Sequence, residues 1–178
     1  MSDGVIGLIG VLVGGVITSG TTFTMEYFTQ HKEAFHLAHA FRGGVGALLD
    51  IVEHRQYLRV VEWKIQEAKR GATSPLMIKV RRDYLALFSK NVDRIGLLEP
   101  ELAKKLPTFY TYVNSLLEDI DTMNELDWGK FSSDTIVMFL DEFRKLLVKT
   151  IALGEEIQTM IERRYTSPWP RFPRPWTI

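Results

Sequence analysis

The sequence contains no cysteine. That excludes disulfides, iron–sulfur clusters, thiolate zinc sites and a cysteine nucleophile, and it fits a reducing compartment. Net charge is missing too, since 22 Lys and Arg balance 22 Asp and Glu. No global field therefore draws the chain to nucleic acid or to an anionic surface. There is no Asn-x-Ser/Thr acceptor, no internal repeat, and no low-complexity segment outside the C-terminus. A P-loop, a GxGxxG after a strand, GxSxG and HExxH are all absent. So is an Arg placed four to six residues before any of the four histidines, the signature of helical ribonucleases. Glu33 and His36 form one Glu-x-x-His of the di-iron bundle type, but Ile51 stands where the second Glu would precede His54. His36 and His39, one turn apart with His31 nearby, read as solvated histidines rather than ligands. Asp119 with Asp121, and Glu155 with Glu156, read as solvated helix faces. The chain is therefore read as a non-enzyme with no cofactor, no metal and no nucleic-acid partner.

Charge is also absent locally. Residues 4–25 carry none, and residues 5–17 are only Val, Ile, Leu and Gly. A bilayer core takes about 20 apolar residues of helix, so residues 1–28 are read as one transmembrane helix. At about 100° per residue, Gly4, Gly7, Gly10, Gly14, Gly15, Thr18, Thr21 and Thr22 fall on less than half of its circumference. Gly10 and Gly14 make a GxxxG. Glycines in a water-exposed helix cost about 1 kcal/mol each against Ala. In lipid, small residues let backbones approach, and threonines hydrogen-bond across the contact. Gly7, Gly10, Gly14, Thr18 and Thr21 are thus the expected contacts of a glycine-zipper homo-oligomer, whose ring would serve as a scaffold or enclose a pore. The alternatives are a single anchor with incidental glycines, a cleaved signal peptide and a fusion-peptide-like tip. A signal peptide wants a basic leading segment, and Met-Ser-Asp-Gly has none. Basic residues begin only after the span, at Lys32 and Arg42, which places the body in the cytoplasm. Phe23, Tyr27 and Phe28 stand where an interfacial aromatic belt belongs.

Residues 29–165 read as water-soluble amphipathic helix. The first helix is expected to run on to about residue 55, some 75 Å in all. Phe35, Ala38, Phe41, Val45, Leu48, Leu49 and Val52 form its apolar stripe, and Gly43, Gly44 and Gly46 suggest a kink or a close helix crossing. Leu58, Val61, Ile65 and Ala68 predict a second helix ending at Arg70 and Gly71. Residues 71–82 are read as loop, and residues 88–94 as a short helix. Pro100 suits a first helical turn. Leu102, Leu106, Phe109, Tyr110, Val113, Leu116, Leu117, Ile120 and Met123 continue at helical spacing, and Pro107 is expected to kink or divide that run. Ser132, Ser133 and Asp134 offer N-caps for a last helix reaching about Tyr165. Its seam is Ile136, Leu140, Phe143, Leu147, Ile151, Gly154, Ile157 and Ile161. The fold class expected is all-α: a transmembrane helix continuing into an antiparallel helical bundle.

Residues 166–178 differ in kind. Pro168, Pro170, Pro173 and Pro175 alternate with Trp169, Arg171, Phe172, Arg174 and Trp176. Four prolines favour extended polyproline II. Trp169, Arg171, Phe172, Arg174 and Trp176 are the expected docking residues of this tail, on a membrane interface, a groove, a neighbouring subunit or its own bundle.

Asp93, Ile95, Gly96, Leu98, Pro100, Glu101, Leu102, Ala103, Phe109 and Tyr110 carry a resemblance. Residues 88–120 resemble a segment of uncharacterised small bacterial membrane proteins with one N-terminal membrane helix. The resemblance covers about a fifth of the chain. It implies a single-pass protein of the bacterial inner membrane and no established activity. In layout alone the chain is similar to pore-forming accessory proteins of phage-defence systems. Two functions follow as expectations: a membrane-anchored oligomeric scaffold or pore, or a monomeric anchored adaptor whose cytoplasmic bundle binds another protein.

Overall fold

The structure is a computed structural model. It describes residues 2–71, Ser74, Ile78 and 85–169, and for residues 2–13, Val16 and Ile17 only the helical backbone. Among these residues all regular structure is helical. Helix α1 runs unbroken over Ser2–His54, 53 residues or about 80 Å at 1.5 Å per residue. It passes straight through its three clustered glycines. Two of them mark close crossings: a Cβ at Gly44 would stand 2.5 Å from the Leu87 side chain, and one at Gly46 would stand 2.7 Å from Gln158. Gly43 has nothing within 4 Å.

The chain turns at Arg55 and Gln56. Gln56 is left-handed, with φ 52°, a conformation that costs a non-glycine residue about 1–2 kcal/mol. α2, Tyr57–Lys69, then takes up the core where α1 leaves it. Gly71, at φ 85°, follows its end, as Gly does where a helix stops in the left-handed region. The loop expected over 71–82 lies outside the described residues apart from Gly71, Ser74 and Ile78. The short helix expected at 88–94 is α3, Ala86–Asn91, which tightens into a 3₁₀ turn over Val92–Leu97.

α4 spans Pro100–Glu125, with Pro100 in its first turn. Of the two outcomes expected at Pro107, a kink or a division, the division does not occur. Losing one backbone bond costs about 3 kcal/mol in a helix interior, but Leu102, Leu106, Phe109, Tyr110 and Val113 stay buried on one continuous face across the proline. The Pro107 carbonyl accepts from Thr111 Oγ1 at 2.8 Å. A 3₁₀ turn, Trp128–Lys130, leads to α5, Ser133–Arg164. Of the three candidate caps, Ser132 is the one used: its hydroxyl accepts from Thr135 N–H at 3.2 Å. The seam of α5 is as spaced, except that Ile151 is half-buried and Thr150 buried.

Cross-helix pairs fix the directions. Arg42 meets Glu162 and His39 meets Tyr165, so α1 runs antiparallel to α5. Lys105 meets Glu156 and Arg164 meets Glu101, so α4 does the same. α1 and α4 are therefore parallel to each other. The core has two storeys. The first joins Leu37, Phe41 and Val45 of α1 to Leu102, Leu106 and Phe109 of α4 and Ile157 and Ile161 of α5. The second joins Val61 and Ile65 of α2 to Met123, Trp128, Ile136 and Leu140. An apolar cavity of about 80 Å³ lies between them, beside the turn at Gln56, lined by Leu48, Val52, Tyr57, Leu117 and Leu147 among others.

Gly154 marks where α1, α4 and α5 converge. A Cβ there would stand 2.9 Å from the Phe109 ring and 3.1 Å from Leu49. Overpacking of this kind costs about 1–3 kcal/mol. Gly154→Leu should therefore lose about 2 kcal/mol or more in chemical unfolding, whereas Gly43→Ala, with open space, should gain up to about 1 kcal/mol from helix propensity. Equal stability of the two variants would contradict the three-helix convergence at Gly154.

Candidate functional site

Below the bundle α1 stands alone. Every described side chain over residues 14–27 is exposed, and the first buried residue of the helix is Ala34. The rotation of α1 is fixed above, where Ala34, Ala38, Phe41 and Val45 face α4 and α5. A straight helix carries that phase downwards at 3.6 residues per turn. From Thr18 to Val45 is about seven and a half turns, and from Thr18 to Gly43 about seven. The small-residue stripe thus lies on the face opposite the core. Ala40, Gly43 and Ala47 continue that outward face along the bundle, and all three are exposed.

Of the five stripe residues expected from sequence, Gly14, Thr18 and Thr21 are exposed. The environments of Gly7 and Gly10 lie outside the described residues. Gly14 has open space around it. Thr18 donates to the Gly14 carbonyl at 2.8 Å, and Thr21 and Thr22 both donate to the Thr18 carbonyl at 2.9 Å. Each hydroxyl hydrogen is therefore satisfied within the helix, which makes these polar residues tolerable in an apolar surrounding. Among the described residues no helix is long and apolar enough to cross a membrane. Most of the apolar run, residues 5–13 with Val16 and Ile17, falls outside the residues whose side chains are described.

The second feature is the closure of the bundle's lower end, which local sequence patterns did not reveal. Tyr165, the residue after α5, is buried. Its carbonyl accepts from His39 Nε2–H at 2.9 Å, and its hydroxyl accepts from the Glu99 backbone N–H at 2.9 Å. One residue thereby ties α1, the start of α4 and the end of α5. Arg164 adds ion pairs to Glu99 and Glu101. The chain then returns to α1, where Trp169 meets Phe28 edge to face with ring centroids 6.3 Å apart. Of the expected docking residues Trp169 is described, while Arg171, Phe172, Arg174 and Trp176 lie outside the described residues.

The histidines do not converge. His39 is committed to Tyr165 and packs on Phe35 at 4.4 Å, while His36 is exposed. Among the described residues no group of three His, Cys, Asp or Glu is placed to hold a metal ion. Asp119 is half-buried rather than fully solvated, and burial, then the neighbouring charge of Glu118, raises its carboxyl above the ordinary value. No protein-family model, curated protein or solved structure matches the chain.

Tyr110 is the exception to good packing of polar groups. It is buried between Phe88, stacked at 4.6 Å, and Gly44 of α1. Its hydroxyl has no hydrogen-bond partner, and burial pushes the phenol up to about 12. A buried unsatisfied hydroxyl costs about 1–3 kcal/mol. Tyr110→Phe should therefore leave stability unchanged or raise it by about 1 kcal/mol. The unfolded phenol ionises near 10.0 and the folded one only near 12. Stability is therefore full below pH 10 and falls between these values. Tyr110→Phe should weaken that alkaline loss in thermal melts, and a variant much less stable at neutral pH would contradict an unpaired hydroxyl.

Proposed function

We propose that this protein is a membrane-anchored homo-oligomer, a scaffold or a pore, with α1 as the shared axis and the bundles hung outside it. The observation that carries the reading is the half-turn offset between the two faces of α1. Its core face is occupied by α4 and α5, and its small-residue face points away from them. Copies that meet through Gly7, Gly10, Gly14, Thr18 and Thr21 would therefore do so without displacing the bundle. The fold of α1 itself does not explain Gly14 or Gly43, where an added Cβ would meet nothing within 4 Å, in contrast to Gly44 and Gly46. In a ring, Thr18, Met25, Lys32 and His36 would share the axial side, at about 3.6 residues per turn. The span is residues 1–28, basic residues after it favour a cytoplasmic bundle, and the resemblance over residues 88–120 implies a bacterial inner membrane. A role in phage defence rests on layout alone.

The second reading, a monomeric anchored adaptor, has one observation in its favour. Trp63 is exposed at the far end of the bundle, in a groove with Arg59, Glu62, Asp141 and Arg144. Exposed tryptophans of this kind are common anchors for protein partners.

The mass of the detergent-purified protein separates the two. The wild type should run as an oligomer, and the Gly14→Leu, Gly43→Leu double variant should run at monomer mass with its bundle folded, because both positions are open within one chain. An unchanged oligomer in the variant would exclude close packing through these glycines, and a monomeric wild type would favour the adaptor. Ion flux from liposomes then distinguishes a pore from a scaffold.

A further inference from the structure

The lower end of the bundle presents a group of aromatic rings. Phe23, Tyr27 and Trp169 are 74%, 57% and 65% exposed. All three are large, and none is spent on the core. Phe28 is half-buried, with Tyr27 and Trp169 against its edge at 6.4 and 6.3 Å. They lie at the boundary between the stretch free of charge and the helix that enters the bundle. By helix phase Phe23 and Tyr27 stand beneath the bundle rather than on the stripe: Thr18 to Tyr27 is about two and a half turns. Lys32 and Arg163 are exposed at the same end.

What makes this more than a local aromatic contact is how firmly Trp169 is placed. Tyr165 is anchored to both His39 and Glu99, four residues before it. Trp169 N–H bonds back to Ser167 Oγ at 3.1 Å. The chain after α5 is thus delivered to the level of Phe28. Tryptophan and tyrosine gather at headgroup level because one end of the ring is apolar and the other is polar.

We propose that Phe23, Tyr27, Phe28 and Trp169 form a collar seated in the headgroup layer of a phospholipid bilayer. This deepens the membrane-anchored reading and rests on it. The collar sets the depth of α1 and the height of the bundle above the lipid. It acts as a second membrane contact, remote in sequence from the first.

The test uses the full chain carrying Trp63→Phe and Trp176→Phe, which leaves Trp169 and Trp128, the latter buried in the upper core. The protein is reconstituted into vesicles of phosphatidylethanolamine and phosphatidylglycerol, with bromine placed either near the headgroup or near the chain end. Lipid brominated near the headgroup should roughly halve the Trp169 emission, as expected for a ring at the interface. Lipid brominated near the chain end should have little effect, and Trp169→Phe should abolish the quenching. Protein that stays with the vesicles after alkaline washing but shows no quenching of Trp169 would overturn the collar and leave the anchor standing. Stronger quenching from the chain end would overturn the interfacial level. Protein released by the wash would overturn both.

Discussion

Burial of Ala34, Ala38, Phe41 and Val45 against α4 and α5 sets the rotation of a helix 53 residues long. Everything below the bundle inherits that rotation. A helix without a break cannot turn one end without the other, so packing in the lower core decides where Gly14, Thr18 and Thr21 point. The glycines inside the bundle serve the same constraint. At Gly154 the Phe109 ring and Leu49 crowd the position, and at Gly44 and Gly46 an added Cβ would meet the ends of the Leu87 and Gln158 side chains. Gly14, Gly15, Gly20 and Gly43 of α1 have open space in a single chain. Two populations of glycine in α1, Gly44 and Gly46 explained by the monomer and Gly14 and Gly43 not, are the physical basis of the oligomer proposal.

α4 and α5 run through both storeys of the core, whereas α1 gives way to α2 at the join. α1 stops at a left-handed Gln56, α2 begins at once, and an apolar cavity sits at the join. The lower end is instead locked by Tyr165, whose carbonyl and hydroxyl each take a bond from a different helix.

Much of this was legible in the spacing of apolar residues. The seam of α5 and the buried face of α4 follow the three- and four-residue steps of the sequence, and Ser132 and Gly71 mark helix ends by their chemistry. Pro107 does not divide α4, because a proline reports a local loss that five buried side chains on one face outweigh. Gln56 was unreadable because nothing in its side chain favours a left-handed backbone; the turn is imposed by two helices that both pack on α5. Tyr165 was missed for a different reason. Its partners, His39 and Glu99, lie 126 and 66 residues away, and no local pattern announces a contact of that separation. The stripe on α1 was visible as composition, but that it faces away from the bundle required the structure.

The central claim is that α1 keeps one face for its own bundle and the opposite face for other copies. The absence of native cysteine lets it be tested by disulfide cross-linking of single-cysteine variants in the membrane. Cysteines at Thr18, Met25 and His36 should join neighbouring chains, while those at Phe23 and Tyr27 should not. Cross-linking that favours Phe23 and Tyr27, or that shows no preference for either side of the helix, would contradict the account.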